Sequence, residues 1–199
     1  MGKILITYST NAGSTADVAE AISEEFRIAG HDVEVRPINE IDSLVGYTSV
    51  ILGAPMILGW HAVARKFLRR NRQQLAGKKV AFFACALKLT DDHDKFNIPL
   101  SIDPGLVSDP VKPGRLAFKE RFTTTGHYLK PMLACAPELT PVSVAFFNGK
   151  LDLRRLKWWQ VLFVLGVVQG KPGDYRDWSY IRNWASEVLP LLADHPTTP

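Results

Sequence analysis

The sequence predicts an α/β protein: a doubly wound parallel sheet of five strands with helices on both faces. Three observations lead there. Short β-branched and apolar runs alternate with segments whose apolar residues recur at helical spacing. The strand-like runs are apolar at consecutive positions, which suits strands buried on both faces. Strands that alternate with helices imply βαβ crossovers, and crossovers cover a parallel sheet from both sides.

The elements follow in chain order. Lys3–Tyr8 is the first buried strand, and Ser9-Thr10-Asn11-Ala12-Gly13-Ser14-Thr15 comes directly after it. Ala19, Ile22, Phe26 and Ala29 then share one helical face, with Asp17, Glu20, Glu24 and Glu25 on the other. Gly30 ends this helix as a C-cap. Strands are expected at His31–Arg36, Ser49–Gly53 and Lys79–Cys85, with a helix from His61 to Leu75 between the last two. Residues 88–140 begin rich in Pro, Asp and Gly and become helical near Leu116–Leu133. So long an excursion at the carboxyl end of a strand is usually functional. A strand at Val142–Phe147 follows. The last helix, Trp178 to Leu192, puts Trp178, Ile181, Ala185, Val188 and Leu192 on one face. No repeat or linker breaks the chain, so residues 1–199 are read as one domain with insertions near 88–140 and 148–176.

Composition narrows the function classes. The chain has 199 residues, 46% hydrophobic and 22% charged, which argues against disorder, collagen-like repeats and coiled coils. A chain of this length buries enough surface to need no metal or disulfide staple. Cys85 and Cys135 cannot form a CxxC site or a disulfide framework. The start of the sequence shows no signal-peptide pattern, and no uncharged apolar run reaches the roughly 20 residues that span a bilayer. The expectation is a cytoplasmic protein with reduced thiols. The net charge of +4 conceals an asymmetry: residues 1–64 carry three cations and eight carboxylates, whereas residues 65–88 carry eight cations and no carboxylate. A nucleic-acid binder would be more uniformly basic, so none is expected as partner. Arg65, Arg69 and Arg72 share one helical face with Lys66 and Arg70 beside it. That face suits either a solvated surface or an attraction for carboxylate substrates or anionic lipid.

In a doubly wound sheet, ligands bind outside the carboxyl ends of the strands, where the strand order reverses. The loop after the first strand carries neither G-x-G-x-x-G nor G-x-x-x-x-G-K-[ST], so neither a dinucleotide fingerprint nor a triphosphate P-loop is present. It offers four hydroxyls, an Asn and a Gly around a helix N-terminus, with no Lys or Arg between residues 4 and 26. Backbone amides and hydroxyls at such a terminus hold a phosphate through the helix dipole. A simple N-cap needs one hydroxyl, not four.

This loop, Tyr8 to Thr15, resembles the phosphate loop of flavodoxins, which hold the phosphate of FMN there. The resemblance implies FMN as cofactor, a flavodoxin-like fold, and Ser9, Thr10, Asn11, Ala12, Gly13, Ser14 and Thr15 as phosphate-loop residues. It implies two further loops around the isoalloxazine. One is Gly53-Ala54-Pro55-Met56-Ile57-Leu58-Gly59-Trp60-His61, and the other is Cys85-Ala86-Leu87-Lys88. Trp60 either stacks on the flavin or packs over the start of the next helix. His61 reads as a helix-start residue, and Cys85 as a small apolar packing residue. Within the superfamily the chain is similar to the menaquinone-dependent protoporphyrinogen IX dehydrogenases, over residues 1–88 and about 141–190. The shared parts are Ser-Thr-x-x-Gly-x-Thr at 9–15, the Gly-Ala…Gly-x-His stretch at 53–61, and the tail. The tail comprises Val142–Gly149, the basic and aromatic Leu151–Trp159, and Gly173–Trp178 leading into the last helix.

The resemblance implies a quinone-linked oxidoreductase of heme biosynthesis, acting on a porphyrinogen-like substrate. A flavodoxin-like electron carrier with a protein partner and a non-redox module are the alternatives. Small carriers are usually strongly acidic, which a +4 chain is not. Asp91-Asp92-His93-Asp94 reads as a solvated loop, so no metal is expected. In Lys150–Gly170, Arg154, Arg155 and Lys157 precede the apolar run Trp158–Val168. Eleven helical residues reach about 16 Å, too short to cross a hydrocarbon core of about 30 Å. A Trp and cations at one end suit a helix lying on a membrane surface; burial in the core or in a homo-oligomer contact is the other reading.

Overall fold

The computed structural model describes residues 2–56, 59–90, 96–111, 117–118, 120–152, 158, 161 and 172–193. Its centre is a parallel sheet. The strands are β1 (Lys3–Tyr8), β2 (Val33–Pro37), β3 (Tyr47–Pro55), β4 (Lys79–Ala86), β6 (Leu100–Ile102) and β8 (Ser143–Asn148), in the order β2-β1-β3-β4-β8-β6. Every pairing in it is parallel. The sheet therefore has six strands, not the five expected. The extra strand, β6, comes from the excursion after β4 and pairs Leu100–Ile102 with Val144–Phe146 of β8. Three residues bounded by Pro99 and Asp103 carry no periodic signal of their own, and it is the exposed edge of β8 that makes them a strand.

Alternation along the strands builds two cores. Leu5, Val50, Leu52, Val80, Phe82, Val144 and Phe146 face α2 (Ala62–Ala76) and α3 (Thr125–Leu133). Ile4, Ile6, Ile51, Ala81, Phe83, Ala145 and Phe147 face α1 (Ser14–Ile28) and α4 (Trp178–Leu192). Phe26 of α1 and Trp184 of α4 are the large side chains buried on this second face. Helices thus cover both faces, as the alternation of elements requires.

Ends and caps follow their local chemistry. Gly30 after α1 has φ +85°, which a residue with a Cβ adopts at a cost. The Asp177 carboxylate accepts from the Tyr180 amide at 2.9 Å and caps α4. Helix α3 begins later than its expected span, at Thr125, because the Thr124 hydroxyl accepts from the His127 amide at 3.1 Å. Within the excursion, β5 (Leu89–Thr90) pairs with β7 (Val107–Ser108), and the Glu120 carboxylate accepts from the Val111 and Ala117 amides. Those hydrogen bonds hold the Glu120 carboxyl below the usual carboxylate range. Gly53 is required where it stands: a Cβ there would overlap the buried Phe83 ring on the neighbouring strand.

Candidate functional site

The chain runs from β1 to β2 on one side and returns to β3 on the other, so the order reverses between β1 and β3. The carboxyl ends of these strands therefore diverge and leave room for a ligand. The backbone holds the two loops together there: the Ser9 amide donates to Gly53 O at 3.0 Å. His61, the N-cap of α2, adds a side-chain link, its Nδ1 lying 3.0 Å from Ser9 Oγ.

The first loop ends on Gly13, which takes the left-handed conformation (φ +91°) as the N-cap of α1. No side chain caps this helix. The Thr10 hydroxyl accepts from the Gly13 amide at 2.8 Å and so closes the turn instead. Gly13 O takes the amides of Ala16 and Asp17, which leaves those of Ser14 and Thr15 at the head of the helix without an intrahelical acceptor. Thr15 is fully buried, and its hydroxyl has no oxygen or nitrogen partner; the Cys85 thiol is its polar neighbour. An uncapped helix start beside an unpartnered buried hydroxyl can hold an anion.

An open cleft extends from this terminus. Asn11, Ala12 and Ser14 line it from the first loop, Pro55 and Met56 from the second, and Cys85 and Leu87 from the third. The Met56 amide donates to Cys85 O at 2.8 Å and fixes the last two loops to one another. Burial pushes the Cys85 thiol up to about 12, so it stays protonated and forms an apolar part of the wall.

Other residues expected in the site lie elsewhere. Ala54 and Ala86 are buried in the sheet, Thr15 is buried in the first turn of α1, and Ser9, Thr10 and Gly13 shape the loop before it. Lys88 is half-buried beyond Leu87, and Gly59 makes a turn with φ +95°. Trp60 corrects the stacking alternative: it is 2% exposed and sits edge-on to Phe82 at 5.5 Å, so its ring is committed to the core. The Ile57 and Leu58 candidates, and the acidic run 91–94, lie outside the described residues.

Sequence reasoning missed a fourth wall. Gly149, Lys150 and Leu151 also line the cleft, from β9 (Lys150–Leu151), which pairs antiparallel with β10 (Gly173–Asp174). Nothing in the local pattern of residues 150–170 shows that their first residues fold back over the sheet. Most of that segment lies outside the described residues; Trp158 is described and 75% exposed. On α2, Lys66, Arg69 and Arg70 are exposed, and Arg72 pairs with Glu138 at 3.4 Å. Among the described residues no cluster of His, Cys, Asp or Glu could hold a metal, and no helix is long and apolar enough to cross a membrane.

Residues 5–176 match the flavodoxin domain family. The chain belongs to that family. As a flavodoxin domain it has a flavoprotein oxidoreductase fold, and FMN is its cofactor. The protoporphyrinogen IX dehydrogenase [quinone] of Escherichia coli K12 is 22% identical, with 98% of each chain covered. Among solved structures, a short-chain flavodoxin associated with a bacterial microcompartment aligns with a TM-score of 0.56 and 10% identity, over 97% of this chain and all of that one. A Thermotoga maritima flavoprotein aligns with a TM-score of 0.50 and 14% identity. This flavodoxin domain covers 96% of its own length there but only 36% of the larger Thermotoga chain.

Proposed function

We propose that the protein is an FMN-dependent, quinone-linked oxidoreductase of the protoporphyrinogen dehydrogenase type. The observation that carries the flavin half is the uncapped α1 terminus over the buried Thr15 hydroxyl, opening into a cleft walled by three strand-end loops. The substrate half is supported by the similarity to the Escherichia coli enzyme along nearly the whole chain.

The residues divide the work. The Ser14 and Thr15 amides, with the Thr15 hydroxyl, would hold the phosphate, while Thr10 keeps the turn in shape. Pro55, Met56 and Leu87 would form the apolar walls beside the ring system, and Cys85 adds no competing thiolate. FMN supplies the electron-accepting and electron-donating chemistry, and the protein orients it and shields it from water. Peripheral contact with a membrane surface would bring a lipid-phase quinone to the cleft, and the exposed cations of α2 suit an anionic surface.

An anaerobic assay tests the reading. Protoporphyrinogen should reduce the bound flavin, NADH and reduced ferredoxin should not, and a menaquinone analogue should reoxidise it without a protein partner. Reoxidation by a redox protein but not by the quinone would make the chain an electron carrier.

A further inference from the structure

The β9–β10 ribbon is too short to stand alone. Each strand has two residues, and isolated hairpins are marginal even when longer. Yet its first strand walls the cleft. Two backbone bonds root it, from the Gly149 amide to Ala86 O at 2.8 Å and from the Tyr175 amide to Gly149 O at 3.2 Å. A side chain adds to these bonds. Arg176 grips the ribbon through both oxygens of Asp174, Nε to Oδ1 at 2.7 Å and Nη2 to Oδ2 at 2.5 Å. Its Nη1 donates to Asp17 Oδ2, in the first turn of α1, at 2.8 Å. Its guanidinium also lies 4.4 Å from the centre of the Trp178 ring, at the start of α4.

We propose that Arg176 is a latch: it fastens the β9–β10 wall of the cofactor cleft to the helix that carries the phosphate loop. The inference rests on the reading of the cleft as the FMN site. Most exposed ion pairs contribute little, but this one differs in geometry. The arginine side chain is only 5% exposed, although Asp17 and Asp174 are 57% and 40% exposed. Its planar fork takes one carboxylate bidentately and still reaches a second, which lysine cannot do. None of the three residues belongs to either hydrophobic core, so the latch can open without unfolding the sheet. Opening loosens the part of the wall formed by Lys150 and Leu151, and this speeds cofactor release.

Arg176→Gln, Arg176→Lys and Asp17→Asn, each compared with the unaltered protein, test the latch. The readouts are the FMN release rate and, in the flavin-free protein, hydrogen exchange in residues 149–151 and 173–175. All three variants should release FMN about tenfold faster or more, since such changes act mainly on dissociation. All three should also speed exchange in the ribbon while leaving the melting of the flavin-free protein nearly unchanged. Rescue of release by Arg176→Lys, or slower release in Asp17→Asn, would overturn the latch and make Arg176 a plain positive charge near the phosphate. Unchanged ribbon exchange in Arg176→Gln would overturn it as well. Failure of the unaltered protein to bind FMN would instead contradict the cofactor reading, and the exchange data would still decide whether the ribbon is latched.

Discussion

Replacing Thr10 and Thr15 together by Val should leave a folded protein that no longer retains FMN. The two hydroxyls act differently, which makes the expected result specific. Thr10 closes the turn by accepting from the Gly13 amide. Thr15 keeps a buried hydroxyl without an oxygen or nitrogen partner. The Thr15 hydrogen bond to a charged group contributes about 1.5–3 kcal/mol, about 10- to 10²-fold in affinity, and the loosened Thr10 turn adds to that loss. Thr15→Val alone should weaken FMN binding yet leave the flavin-free protein as stable as before, or more so, because it removes an unsatisfied polar group from the interior. Flavin fluorescence titration and thermal melting of the flavin-free form measure the two effects separately. FMN affinity unchanged in the double variant would remove the phosphate from this loop.

The largest stability effect is expected at Trp184. Its indole is 2% exposed, donates from Nε1 to Ser143 Oγ at 3.0 Å, and lies edge-on to Phe147 at 5.5 Å. Trp184→Ala opens a large cavity between α4 and β8 and orphans the buried Ser143 hydroxyl, a loss of about 3–5 kcal/mol. Against a typical total of about 5–15 kcal/mol, that brings the protein close to its unfolding threshold. Strand β8 leads through Asn148 to Gly149 in the cleft wall, so the damage should reach FMN binding too. Trp184→Phe keeps most of the packing and should lose far less. Urea unfolding of the two variants separates the cavity from the lost hydrogen bond, and equal losses would show that the hydrogen bond dominates.

The legible parts of the sequence were those fixed by local patterns. The spacing of Ile181, Ala185, Val188 and Leu192 defines the buried face of α4, and all four are buried. The run Lys3–Tyr8 and the hydroxyl-rich turn after it likewise lie where the sequence puts them. What could not be read depends on partners distant in the chain. Strand β6 exists because β8 offers it an edge. Trp60 sinks into the core because Phe82 waits there. Arg176 meets an aspartate 159 positions away, which no spacing rule detects. Lys150 and Leu151 look like the start of a surface segment until β10 folds back against them.

On the proposed reading, a helix terminus and its hydroxyls, rather than a dinucleotide fold, anchor the cofactor by its single phosphate. Equilibrium binding of FMN, riboflavin and FAD to the flavin-free protein tests it most directly. FMN should bind tightest, and riboflavin, which lacks the phosphate, should bind weaker by about 10²-fold or more, as expected from at least two charge-assisted hydrogen bonds of about 1.5–3 kcal/mol each. Riboflavin binding as tightly as FMN, or FAD binding tighter than both, would contradict the account.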